Sequence, residues 1–167
     1  MKKRIFSNKA FTLIEILVVV LIIGILAAIA VPKYQKSVIT SQYSTIKELT
    51  NSIAQAEKIY YLANGSYTDN FNDLDIDMPG DKLNNSTNSN YVYPWGDCVV
   101  SVINEKVAYC NHTKANMRYQ IYFSSAKYCV VLDTSSETDI RSQICQAETG
   151  KTTAYNKKEG SWIVWKY

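Results

Sequence analysis

The chain has 167 residues, 47% of them hydrophobic and 20% charged, with a formal net charge of +3. This composition is that of a folded chain and excludes a disordered one. Lys2, Lys3, Arg4 and Lys9 stand among the first ten residues with no acid beside them, and the rest of the chain carries 14 basic against 15 acidic residues. The basic balance belongs to that short segment, so overall charge gives no argument for nucleic-acid binding by the body.

Residues 1–10 are polar and basic, and an apolar run follows from Phe11 to Val31, broken by Thr12 and Glu15. As a helix, residues 11–32 would extend about 33 Å, the thickness of a bilayer's hydrocarbon core. Positive charge before the run and none just inside it predicts a cytoplasmic N-terminus with the body across the membrane. An ordinary secretory signal is one reading, since Ala28-Ile29-Ala30 offers a small-x-small cleavage site. Two features favour a retained segment. Glu15 lies inside the run, where a carboxylate costs about 2.5–3.5 kcal/mol at a helix centre and calls for a functional reason. The helical pattern also continues past Ala30, with Ile39, Tyr43, Ile46, Leu49, Ile53, Ala56 and Tyr60 at steps of three and four.

The stretch Lys9-Ala10-Phe11-Thr12-Leu13-Ile14-Glu15, with the apolar run behind it and Gly24 and Pro32 at matching places, resembles the type IV prepilin processing site. That family includes pilus subunits, the pseudopilins of type II secretion and competence pilins. The resemblance covers roughly the first 35 residues; a weaker one covers Tyr60 to Tyr67, which is similar to the end of a pilin helix and its turn. It implies that a membrane-embedded prepilin peptidase cuts between Ala10 and Phe11 and N-methylates Phe11. The family usually has glycine before the cut, where this chain has Ala10.

The resemblance further implies that Glu15 pairs with the terminal amine of a neighbouring subunit. Breaking such a pair in an apolar surround costs about 3–5 kcal/mol, so the pair sets axial register while apolar packing supplies adhesion. Gly24 and Pro32 weaken the helix locally. Both are expected to be helical in a lone membrane-bound subunit, with a bend near Pro32, and the stretch between them is where a strained filament would melt and extend. The implied function is that of a type IV pilus subunit, major or minor, with a type II secretion pseudopilin or a DNA-uptake pilin as the alternative. The implied partners are further copies in a helical filament, other pilins, the peptidase, the inner-membrane assembly platform and the membrane. The implied location is a single pass of the inner membrane with a cytoplasmic leader, then the extracellular pilus.

The expected organisation is a leader over 1–10, a membrane or filament-core helix over 11–32, an amphipathic helix over 33–63 that ends at Asn64-Gly65, and a head over 64–167. Residues 64–97, rich in Asn, Asp, Gly and Ser, read as a long loop region. Strands are predicted at Cys98–Ile103, Val107–Tyr109, Tyr119–Phe123, Tyr128–Leu132 and Trp162–Lys166, with Asn104-Glu105-Lys106 as a hairpin connection. The fold class is therefore α+β, a long N-terminal helix packed on a C-terminal antiparallel sheet.

Cys98, Cys110, Cys129 and Cys145 are even in number and widely spaced, which suits two disulfides in an exported domain. Zinc ligands usually come two to four residues apart, a spacing absent here. Four cysteines allow three connectivities; the sequential one, Cys98 with Cys110 and Cys129 with Cys145, is favoured because it closes two short loops. A disulfide-closed C-terminal loop is also what the pilin resemblance implies. Cys145 is placed in a loop with Asp133, Glu137 and Asp139, whose spacing is not that of a calcium loop, so they read as solvated acids. No metal, no cofactor and no enzymatic activity are expected: His112, the single histidine, has no catalytic company, and no nucleotide or hydrolase motif occurs. Asn64, Asn84, Asn85 and Asn111 start N-x-[ST] matches, a frequent chance pattern in such a composition. Lys114, Arg118 and Lys127 with Tyr119 and Tyr122 could form a basic-aromatic patch for single-stranded nucleic acid, but scattered surface is the favoured reading.

Overall fold

The computed structural model describes residues 11–82, 90–102, 105–132, 136, 138–158 and 162–167. The chain divides into two units, Met1–Ser37 and Val38–Tyr167. Helix α1 (Leu13–Asn64) has 52 residues and includes Gly24 and Pro32 within its span. It stops where the sequence predicts: Gly65 takes a left-handed φ of 74° and its N–H donates to the Tyr61 carbonyl at 2.8 Å. Glycine reaches that conformation without the clash a Cβ brings.

In the second unit, α1 buries Tyr43, Ile46, Thr50, Ile53, Ala54 and Glu57. Steps of three and four keep these residues on one stripe, with Leu49, Ala56 and Tyr60 half-buried at its edge. The partner layer is an antiparallel sheet of eight strands among the described residues. They are β1 (Asp81–Lys82), β2 (Asn90–Tyr93), β3 (Gly96–Ser101), β4 (Val107–His112), β5 (Met117–Tyr122), β6 (Lys127–Leu132), β7 (Asn156–Lys158) and β8 (Trp162–Lys166). Their order is β1-β2-β3-β4-β5-β6-β8-β7. The expected α+β class is the observed one, and all five predicted strands are present, Trp162–Lys166 with the predicted ends and the other four with shifted ones.

Period-two alternation sorts each strand into a core side and an outer side. Cys98 and Val100, Ala108 and Cys110, Met117, Tyr119 and Ile121, Cys129 and Val131, and Ile163 and Trp165 all lie in the core. Tyr43 of α1 meets Tyr119 of β5 edge to face at 6.3 Å, and its hydroxyl is 3.2 Å from that of Tyr167 at the chain end. These rings join α1 to the middle of the sheet and to its last strand.

Three expectations need correction. Residues 64–97 are not one long loop: they hold a 3-10 turn (Phe71–Asp73), β1, β2 and the start of β3. In β2 the sequence Asn90-Tyr91-Val92-Tyr93 alternates half-buried and buried, and both tyrosines turn into the core. Cys145 is not in a loop. It lies in a second helix, α2 (Ile140–Thr149), which starts at the N-cap Asp139 and ends at Gly150 with φ 68°. The Asp139 carboxylate accepts from the Arg141 N–H at 2.8 Å, satisfying one of the donors that a helix start leaves open. Asp139 also pairs with the Arg141 side chain at 2.8 Å, so it is a cap and not a solvated loop acid. Strand β7 was not anticipated. Ala10, Asn84, Asn85, Ile103, Asn104, Asp133 and Glu137 lie outside the described residues.

The two disulfides differ in what they join. Cys98–Cys110 links directly opposed residues of β3 and β4. Cys129–Cys145 ties β6 to α2, and an ion pair between Lys47 and Glu148 joins α2 to α1.

Candidate assembly helix

The site is built on the first unit, at the start of α1. Thr12 precedes the first helical residue, and Glu15 stands three residues on. The Thr12 N–H donates to the Glu15 carboxylate at 2.8 Å and the Thr12 hydroxyl donates to the same oxygen at 2.7 Å. The Glu15 N–H closes the arrangement on the Thr12 hydroxyl at 3.3 Å. This is a capping box, in which a Thr-x-x-Glu spacing satisfies open N–H groups reciprocally. It gives Glu15 a role inside a single chain that the sequence reading passed over, although the Thr12-Leu13-Ile14-Glu15 signature carries it.

Beyond the cap, α1 is long and apolar enough to cross a membrane by length and composition. From Leu13 to Val31 its large apolar side chains are all exposed, between 45% for Val18 and 92% for Leu13. A continuous apolar surface of this extent is far from the scattered exposed residues of an ordinary soluble chain. Lipid or other apolar helices would cover it, since either removes apolar area from water. Among the described residues, an added Cβ at Gly24 would meet no atom within 4 Å outside the helix's own backbone.

The other predicted groups are dispersed. His112 is buried in the second unit between α1 and the β2–β3 turn. Its Nε2 lies 2.7 Å from Gln42 Oε1, and its Nδ1 accepts from the Ala115 N–H at 3.0 Å. Both ring nitrogens are occupied, the neutral Nε2–H tautomer is fixed, and burial lowers the pKa below the usual histidine value. The histidine is a structural tie. Among the described residues no cluster of His, Cys, Asp and Glu is suited to hold a metal. The basic-aromatic patch does not form as drawn: Tyr119 is in the core, whereas Arg118 and Tyr122 face outward.

Sequence reasoning missed Glu57, a buried carboxylate on the core stripe of α1. Its Oε2 accepts from the Thr68 N–H at 3.3 Å, while Oε1 is buried and has no hydrogen-bond partner among the described residues. The steps from Tyr43 through Ile46, Thr50 and Ile53 lead to position 57, so the signal was the helical period itself.

Comparison with known proteins returns to the N-terminal segment. Residues 5–31 match the prokaryotic N-terminal methylation motif. The type IV major pilin protein PilA of Myxococcus xanthus is 40% identical over 67 residues, which cover 40% of this chain and 30% of that protein. The type IV major fimbrial protein FimA of Dichelobacter nodosus is 51% identical over 49 residues, 29% of this chain and 31% of its own length. The type IV major pilin protein PilE1 of Neisseria gonorrhoeae is 38% identical over 72 residues, 43% of this chain and 44% of its own length. The chain thus spans less than half the length of these relatives. No solved structure matches it. Through the exposed, capped start of α1, this chain carries the prokaryotic N-terminal methylation motif and is similar to the type IV major pilins.

Proposed function

We propose that this chain is a structural subunit of a type IV pilus, assembled with further copies and other pilins through the N-terminal part of α1. The observation that carries the proposal is an uncovered apolar helix beginning in a Thr12–Glu15 capping box, within a segment that matches the methylation motif. The subunit is made with residues 1–10 as a cytoplasmic leader and crosses the inner membrane once. Prepilin peptidase cuts between Ala10 and Phe11 and methylates Phe11. The assembly platform then moves the subunit from lipid into the extracellular filament.

Exchange of lipid for neighbouring helices keeps the apolar surface out of water at both stages. Glu15 is the exception, because a carboxylate in an apolar core needs a charged partner. The new α-amine of Phe11 supplies one, so subunits dock where the two charges meet. Gly24 and Pro32 make the intervening helix the part that yields under strain. The two disulfides hold the head together outside the cell, where thiols oxidise. The test is fractionation: the chain should be recovered in filaments sheared from the cell surface, and Glu15→Val should leave it in the membrane at normal abundance. A chain found in membranes and never in the sheared fraction would overturn the proposal.

A further inference from the structure

The sheet has a second face, and its chemistry is unlike that of the core. Opposite the α1 side, β5, β6 and β8 present Tyr122, Tyr128 and Trp162, and Tyr155 joins them from the approach to β7. An open cleft of about 320 Å³ lies among these four rings. The three tyrosine rings form a chain of contacts. Tyr122 and Tyr128 meet edge to face at 5.6 Å, and Tyr128 and Tyr155 lie 5.8 Å apart. Tyr155 is 62% exposed, and its N–H donates to the Val164 carbonyl at 2.7 Å, which seats the ring beside the cleft.

The polar lining is balanced in charge. Gln120 and Asn156 supply amides, Glu105 a carboxylate and Arg118 a guanidinium. Glu105 accepts from the Tyr122 hydroxyl at 2.8 Å, which orients that ring. Arg118 is held from behind: its Nε donates to Asn111 Oδ1 at 2.7 Å and its plane lies over Tyr109 at 4.1 Å. Rigid rings with few rotatable bonds give contact area at low entropic cost, and fixed amides and charges give direction.

We propose that this cleft binds a neutral saccharide of one or two sugar units. A pyranose has an apolar C–H face, which stacks on an aromatic ring, and a rim of hydroxyls that both donate and accept. Those are the two surfaces this cleft offers, in a volume at the small end of ligand clefts, roughly 300–1,000 Å³. Single-stranded nucleic acid also stacks on such rings, but it needs an excess of cations along its phosphates. Among the described side chains lining the cleft, one acid stands against one base. The proposal is independent of filament assembly, because it concerns the head alone.

The test is saturation-transfer NMR on the full chain, solubilised in a detergent without a sugar headgroup, using lactose, cellobiose and maltose as probes. Transfer to the ring C–H protons of at least one disaccharide is expected. Tyr155→Ala and Trp162→Ala should each weaken binding by about tenfold, the effect of losing one stacking contact. Leu62→Ala, which removes an exposed apolar side chain from α1, should leave it unchanged. Unfolding temperatures check that the variants fold, and Tyr155→Ala, at an exposed position, serves even where Trp162→Ala does not. Absence of transfer to all three sugars, or equal transfer in wild type and Tyr155→Ala, would overturn the proposal. So would binding of a single-stranded oligothymidylate at about 150 mM salt that Tyr155→Ala abolishes, which would give the cleft to nucleic acid.

Discussion

Glu57 of α1 accepts a hydrogen bond from the backbone of Thr68 at 3.3 Å, and so holds the loop after the helix against the helix that precedes it. Burial pushes the Glu57 carboxyl up to about 7, the charges of Asp69 and Asp73 push the same way, and the Thr68 N–H works against them. Between about pH 4.5 and 7 the folded chain keeps a proton that the unfolded chain has lost. Stability from this group therefore falls as pH rises through that window. Glu57→Gln should raise stability at about pH 8 by about 1–2 kcal/mol, a figure discounted for solvent screening, and should flatten the pH dependence. Denaturant unfolding of the two proteins at several pH values is the check.

His112 acts in the opposite direction. Its folded-state pKa lies below the unfolded value, chiefly through burial, so its contribution is present above about pH 6.5 and is lost as pH falls. Replacing it leaves the Gln42 side chain and the Ala115 N–H without their partner. His112→Ala should cost about 2–3 kcal/mol near neutral pH and remove the loss of stability at the acid end. Nitrogen-15 shifts of the ring should report the Nε2–H tautomer.

The two disulfides should contribute unequally. Cys129–Cys145 spans 16 residues of sequence and is the covalent tie of α2 to the sheet, beside buried Ile144 and the Lys47–Glu148 ion pair. Replacing both partners by Ala should cost about 3 kcal/mol and loosen α2 first. Cys98–Cys110 joins neighbours already held by the β3–β4 ladder, so its loss should cost less and leave α2 protected. Hydrogen exchange on the two paired variants separates these outcomes.

Thr12 and Glu15 make separable predictions. Thr12→Val removes the hydroxyl of the capping box and should destabilise the start of α1 by about 1 kcal/mol, with filament yield reduced but not abolished. Glu15→Gln keeps a hydrogen-bonding side chain near the cap but removes the charge that the Phe11 amine would meet. Filament yield should then fall much further than in Thr12→Val, while membrane insertion is unimpaired or improved. Quantifying sheared filaments against membrane-bound subunit for both variants tests the distinction.

Strong periodic signals carried most of the fold. The apolar run and the steps from Ile39 to Tyr60 foretold α1, and the β-branched and aromatic runs foretold five strands. What escaped was short or polar. β1 has two residues, and β2 sits in an Asn-rich stretch where composition outweighed the alternation of Tyr91 and Tyr93. Helix α2 had its signals in place, Asp139 as cap and Gly150 as stop, but its mixed sequence lacks a strong apolar stripe. Period two also puts Tyr119 and Tyr122 on opposite faces, enough to divide the predicted basic-aromatic patch. The outer cleft was not legible, because only strand order brings Tyr122, Tyr128, Tyr155 and Trp162 together.

The central claim is that residues 1–10 are removed and that α1 is retained as the assembly element. N-terminal sequencing and intact-mass analysis of protein from sheared filaments and from membranes test it most directly. The account predicts a mature chain that starts at N-methylated Phe11, carries two disulfides and is present in the filament fraction. A chain starting at Val31, with the apolar segment discarded, would contradict it.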